Sequence, residues 1–186
     1  MTEPRQIPSK IVHGVLIKVL GQGVLLLGPS GVGKSELALE LIDRGGQLVA
    51  DDAVELRREG NGLIGKAPDL TRGKMFIRGL GLFDLTRTHG KRSVADRSLV
   101  RLCIELGHFD DRGDALAPHD DYYCQLGVEL PLIKLSALPR LPSPVIIEAA
   151  VRIQDDAEHC TLASQLLANH DAILSQHLSV TESRDQ

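Results

Sequence analysis

The eight residues Gly28-Pro29-Ser30-Gly31-Val32-Gly33-Lys34-Ser35 constrain this chain more than any others, because they fit G-x-x-x-x-G-K-[ST]. The pattern is informative only between a buried strand and a helix, and both flanks are present. Val24 to Leu27 is a continuous apolar run, as a buried strand requires. From about Gly33 to Arg44, Leu37, Ala38, Leu41 and Ile42 recur on one helical face, with Glu40 and Arg44 spaced for an i, i+4 pair on the other. Gly45-Gly46 supplies a left-handed stop. In such a loop, glycines let backbone N–H groups curl around phosphates, and the helix N-terminus adds positive potential. Lys34 is expected to reach the β- and γ-phosphates of ATP, and the Ser35 hydroxyl to bind Mg²⁺, a hard cation that prefers oxygen.

A second feature follows within one helix and one turn. Leu48-Val49-Ala50 reads as a short strand ending in Asp51-Asp52. Nucleotide-binding loops of this kind commonly need a carboxylate for the metal at the end of a nearby apolar strand. If this strand lies beside the loop's own strand, both carboxylates come close to Lys34 and Ser35. Side chains alternate along a strand, so only one of the two can point at a given spot. One would hold metal and the other take the proton of an attacking hydroxyl. The alternative is an Asp capping a local turn.

The remaining chain is read more coarsely. Residues 1–10 read as a flexible lead, 11–150 as the core, and 151–186 as a C-terminal helix and tail. Ile11 to Leu20 reads as a strand, Gly21-Gln22-Gly23 as a turn, so the first pairing is expected to be an antiparallel hairpin. Val54–Arg58 and Leu63–Lys66, joined by Gly60-Asn61-Gly62, read as another hairpin. Leu99–Leu106 is a strand candidate, residues 107–121 a polar loop, and 139–144 a Pro-rich connector. Ala157 to Leu178 has the spacing of an amphipathic helix with Leu162, Leu166, Ile173 and Leu174 inward. The stretch from Thr71 to Ser93 shows no clear periodicity.

Composition removes several classes. A net charge of −4 and 3% aromatics, with no Trp, argue against nucleic acid as a partner. No apolar run approaches the roughly 20 residues of a membrane helix, and the N-terminal residues lack a signal-peptide core. Cys103, Cys124 and Cys160 are odd in number and far apart, which fits reduced thiols in a cytoplasm.

Four motifs occur in order: His13-Gly14-Val15, the phosphate loop followed by Glu36, Leu48 to Leu56 around the aspartates, and Arg78-Gly79-Leu80-Gly81. This set resembles the catalytic domain of HPr kinase/phosphorylase, over roughly residues 10–85. The resemblance implies an α/β fold, a P-loop nucleotide-binding domain of the HPr kinase and phosphoenolpyruvate carboxykinase-like type, with a mixed sheet and flanking helices. It also implies an ATP- and Mg²⁺-dependent serine kinase acting on HPr, the phosphocarrier of the sugar phosphotransferase system, with a regulatory role in carbon metabolism and a reverse reaction. Residue by residue, His13 and Lys34 become active-site residues, Ser35 a Mg²⁺ ligand, Asp52 the base that deprotonates the target serine, and Asp51 a catalytic helper to that base or a ligand of the metal. Arg78 to Gly81 falls in the region handling substrate and phosphate, and a homo-oligomer, a hexamer, is implied.

The chain also departs from the family. Met75-Phe76-Ile77 stands where the family has a Mg²⁺-binding Glu before the RGLG segment, and Gln125 stands where a later Arg is usual. The Pro-Gly-Arg-Asn segment linked to dephosphorylation has no match, and the sequence resembles the family's short forms, which keep mainly the nucleotide core. A nucleotide-binding regulator without catalysis, or a small-molecule P-loop kinase, therefore stays open beside the protein kinase.

Overall fold

The computed structural model of the protein describes residues 8–109, 121–137 and 141–155. The polar loop expected at 107–121 and the helix expected at 157–178 lie mostly or wholly outside those residues. The fold is a mixed α/β sheet with few helices, as the sequence implied. Three elements lead to the phosphate loop: β1 (Ser9–His13), β2 (Val15–Val19) and β3 (Gln22–Leu27). After it come α1 (Lys34–Asp43), β4 (Gln47–Ala50), β5 (Ala53–Glu59) and β6 (Gly62–Lys66). A small hairpin of β7 (Lys74–Ile77) and β8 (Gly81–Asp84) is followed by α2 (Leu85–Thr88). Last come β9 (Arg97–Gly107), β10 (Tyr122–Gln125), β11 (Val128–Ser136) and α3 (Pro144–Asp155).

The strand read from Ile11 to Leu20 is really two, and it begins at Ser9, inside the expected flexible lead. Gly14 divides them. On one side His13 pairs with Ala53, and on the other Leu16 pairs with Ala50, in the same antiparallel register. Residues 9–18 and 47–57 thus form one ribbon interrupted at Gly14 and, opposite it, at Asp51-Asp52, with a one-residue register shift between Leu16 and Ile17. β2 turns back into β3 through Leu20-Gly21, both left-handed (φ 50° and 85°). That is the geometry of a two-residue hairpin turn, which matches strand twist. The turn therefore begins one residue earlier than expected, and Gln22 and Gly23 belong to β3.

Pairing then runs β2–β3–β9–β6–β5, with β3 and β9 parallel and β6 and β9 antiparallel. Because β5 also pairs with β1, which continues into β2, the pairings form a cycle. Period-2 alternation divides the apolar residues between two cores. Leu16 and Leu25 face a core inside the cycle with Val54, Leu56, Leu63 and Val100. Val15, Ile17, Val24 and Leu26 face the other, shared with α1 and α3.

α1 buries the four predicted residues, Leu37, Ala38, Leu41 and Ile42. A helix of 10 residues is marginal alone. Burial worth roughly 1.5–3 kcal/mol per large side chain is what holds it. Gly45 (φ 99°) and Gly46 close it, donating N–H groups to Ile42 and Leu41 carbonyls at 2.9 Å. Arg44 does not pair with Glu40. Its guanidinium reaches across to Glu148 on α3, at 2.6 and 3.0 Å, a bidentate contact stronger than a surface i, i+4 pair. The domain boundary expected after residue 150 falls inside α3, which keeps Ile147 and Val151 on the same core one turn apart. Among the described residues no helix is long and apolar enough to cross a membrane.

Candidate functional site

The two key strands are not adjacent: β2 lies between β4 and the loop's strand β3. The carboxylate still arrives, because the ribbon's interruption brings residue 51 back over the start of α1. Asp51 is only 4% exposed, and its two oxygens accept from different donors. Ser35 Oγ donates to Oδ1 at 2.7 Å, and the backbone N–H of Phe76 donates to Oδ2 at 2.9 Å. Burial pushes the Asp51 carboxyl above its ordinary pKa, and the two donors pull it partly back.

Asp52 takes a left-handed conformation (φ 67°), tolerated by Asp more readily than by most side chains. This reversal sends consecutive carboxylates to opposite sides. Asp52's side chain is 77% exposed and lies 3.0 Å from His13 Nδ1. The same ring nitrogen lies 3.1 Å from the Asp52 carbonyl. On the ring's other side, Lys34 Nζ is 3.3 Å from Nε2. An ammonium can only donate, so Nε2 is assigned as acceptor and Nδ1–H as the donor to Asp52. His13 thereby bridges Asp52 and Lys34. Lys34 is 6% exposed and also donates to the Gly28 and Pro29 carbonyls at 2.9 Å. Burial lowers its pKa, opposed by the nearby charges of Asp52, Asp51 and Glu36.

The loop's last glycine shows why the motif needs it. Gly33 has φ 103°, and a Cβ there would come within 2.5 Å of Leu141. At Gly31 a Cβ would lie 2.9 Å from the Arg78 guanidinium, so Arg78 sits directly over the loop. His13, Ser30, Gly31, Gly33, Lys34, Ser35, Asp52 and Arg78 line one cleft of about 110 Å³, together with Val15, Glu36 and Phe76. Gly28, Pro29 and Val32 shape the loop beneath it, with the Val32 N–H donating to the Pro29 carbonyl at 3.4 Å. Gly79, Leu80 and Gly81 are not in the cleft: Gly79 and Leu80 lie in the turn between β7 and β8, with Leu80 exposed, and Gly81 opens β8.

Sequence reading put Arg78 in the substrate and phosphate region, and the structure seats it over Gly31; the Phe76 N–H on Asp51 had no signal in the sequence. Both arrive on a hairpin with apolar residues on both faces, which leaves no period to read. A metal here has hard oxygen donors in Ser35 and Asp51. Among the described residues no group of three or more His, Cys, Asp or Glu side chains could hold an ion. That donor set fits Mg²⁺, which keeps waters and shares nucleotide oxygens rather than filling a protein cage. Cys103 is buried, its thiol pushed up to about 12 by burial, and Cys124 is exposed; neither is in a disulfide.

Comparison with known proteins gives one consistent picture. Residues 6–170 match the family model of the HPr serine kinase C-terminal domain. The chain is 41% identical to HPr kinase/phosphorylase of Clostridium perfringens strain 13 over 145 residues, 77% of this chain and 47% of that protein. It is 42% identical to HPr kinase/phosphorylase of Geobacter sulfurreducens over 153 residues, 81% of this chain and 48% of that one. The chain thus spans about half the length of the curated relatives it matches. The solved structure of the HPr(Ser) kinase/phosphatase from Coxiella burnetii superposes with a TM-score of 0.70 at 35% identity. That match covers 77% of this chain and 94% of the other.

Proposed function

The chain belongs to the HPr serine kinase C-terminal domain family, and from that premise we propose that it transfers the γ-phosphoryl group of ATP to a serine of HPr. One juxtaposition supports the reading. An exposed carboxylate, Asp52, stands at a cleft lined by the phosphate loop with its lysine and by Ser35, whose hydroxyl donates to the buried Asp51.

The geometry supports a division of roles. Lys34 and the loop's N–H groups hold the phosphates, with Arg78 over Gly31 as a further positive group. Ser35 and Asp51 would hold Mg²⁺, which neutralises charge developing on the phosphate oxygens. Asp52 accepts the proton of the serine hydroxyl. The serine oxygen forms its bond to the γ-phosphorus as the bond to the β–γ bridging oxygen breaks, and ADP leaves. His13 orients Asp52 through Nδ1–H and faces Lys34 through Nε2, which couples base to phosphate site.

A second reading has its own observation. Phe76, 56% exposed, lines the cleft where the resemblance calls for a metal-binding Glu, which favours a nucleotide-binding regulator without transfer. The two are separated by incubating the protein with ATP, Mg²⁺ and HPr of the same organism and reading phosphoserine by mass spectrometry. Phosphoserine is expected, and Asp52→Asn should cut its formation by roughly 10²–10⁴-fold, the usual share of a general base, while leaving ATP binding intact. ATP binding with no transfer to HPr would favour the regulator.

A further inference from the structure

The β7–β8 hairpin carries apolar side chains on both of its faces. Met75 and Ile77 are buried, and Phe83 packs against the same core. On the opposite face Phe76 and Leu82 stand directly across from each other in the antiparallel register, 56% and 67% exposed. Leu80, at the turn, is 74% exposed. Single exposed apolar residues need no explanation, but a contiguous group on one hairpin face marks a surface that another molecule covers. Phe76 also lines the cleft that holds Asp52. The charge around the hairpin is distinctive too. From Asp69 to Arg97 the chain has seven Lys and Arg against three Asp and no Glu, a positive stretch in a protein of net charge −4.

We infer that Phe76, Leu80 and Leu82 form the surface on which the acceptor protein docks, through an apolar patch edged by acidic side chains. The inference rests on the kinase reading above. The Asp52 side chain is 77% exposed and Phe76 lines the same cleft, so a protein that presents a hydroxyl to Asp52 comes close to this hairpin face. A second copy of the chain seated on the same face would close the mouth to the acceptor. The positive stretch then steers an acidic partner and sets the salt dependence of encounter, while the apolar group holds the complex.

Leu82→Ser tests this, since Leu82 lies outside the cleft. With ATP, Mg²⁺ and HPr, the KM for HPr should rise about tenfold, the loss expected for one buried leucine contact. ATP affinity by calorimetry and the sedimentation coefficient should not change. Arg87→Glu, as a second variant, should raise the same KM roughly threefold and flatten its rise with added salt. An unchanged KM in both variants would overturn the inference while the kinase reading stands. A smaller sedimentation coefficient for Leu82→Ser would overturn it in favour of a contact between copies. Absence of transfer by the unaltered chain would overturn both readings.

Discussion

Asp51 and Asp52 are neighbours in the chain, yet Asp51 is buried between Ser35 and the Phe76 N–H, and Asp52 projects into solvent beside His13. The same contrast extends to the two regions they belong to. At the floor of the cleft, Lys34, Ser35 and Asp51 are held by fixed partners, and burial shifts the pKa values of Lys34 and Asp51 away from ordinary. At the mouth, Asp52, Arg78 and Phe76 are exposed. A floor built this way suits charges that must not move while a nucleotide is held. A mouth built this way suits a partner that arrives from solution.

The contrast can be broken by experiment. The largest effect is expected at the floor. Lys34→Ala should lower phosphoryl transfer by roughly a hundredfold or more and weaken ATP binding as well. Asp52→Asn, at the mouth, should lose transfer alone. Equal losses of ATP affinity in the two variants, measured by calorimetry, would erase the distinction. The smallest effect lies outside both regions, at the clasp between α1 and α3. Arg44 holds the Glu148 carboxyl below its usual pKa. A depressed carboxyl pKa stabilises the fold above the unfolded value and loses that contribution as pH falls through the folded one. Glu148→Gln should therefore lower Tm modestly near neutral pH, and the gap to the unaltered chain should close in acid. ATP affinity should stay unchanged; a loss there would mean the clasp helps to shape the floor.

Legibility in the sequence follows the same division. The floor is contiguous: loop, helix face, Gly45-Gly46 stop and the strand before Asp51 all lie between residues 24 and 52, each with its own period or turn signal. The mouth is assembled from Gly14, Asp52 and a hairpin some 25 residues later, as the Phe76–Asp51 hydrogen bond shows. No local pattern announces that meeting. The ribbon read as a single strand because Gly14 interrupts alternation without shifting the register. β10 and β11 were not foreseen, since their turn is Leu126-Gly127, with Leu126 at φ 50°. A left-handed Leu before Gly repeats the Leu20-Gly21 turn, but Leu is not a residue that signals one. The order β3–β2–β4 follows from that first tight turn, which seats β2 between the loop's strand and β4.

The central claim is that the two adjacent aspartates divide the work, Asp51 serving the metal and Asp52 the proton. The most direct test is the Mg²⁺ dependence of ATP affinity, by calorimetry, in Asp51→Asn and Asp52→Asn. The account predicts that Asp51→Asn loses most of the enhancement by Mg²⁺ while Asp52→Asn keeps it. It also predicts that in the unaltered chain the enhancement fades on acidification above the ordinary carboxylate range, because burial raises the Asp51 pKa. Full Mg²⁺ enhancement in Asp51→Asn, or its loss in Asp52→Asn, would contradict the account.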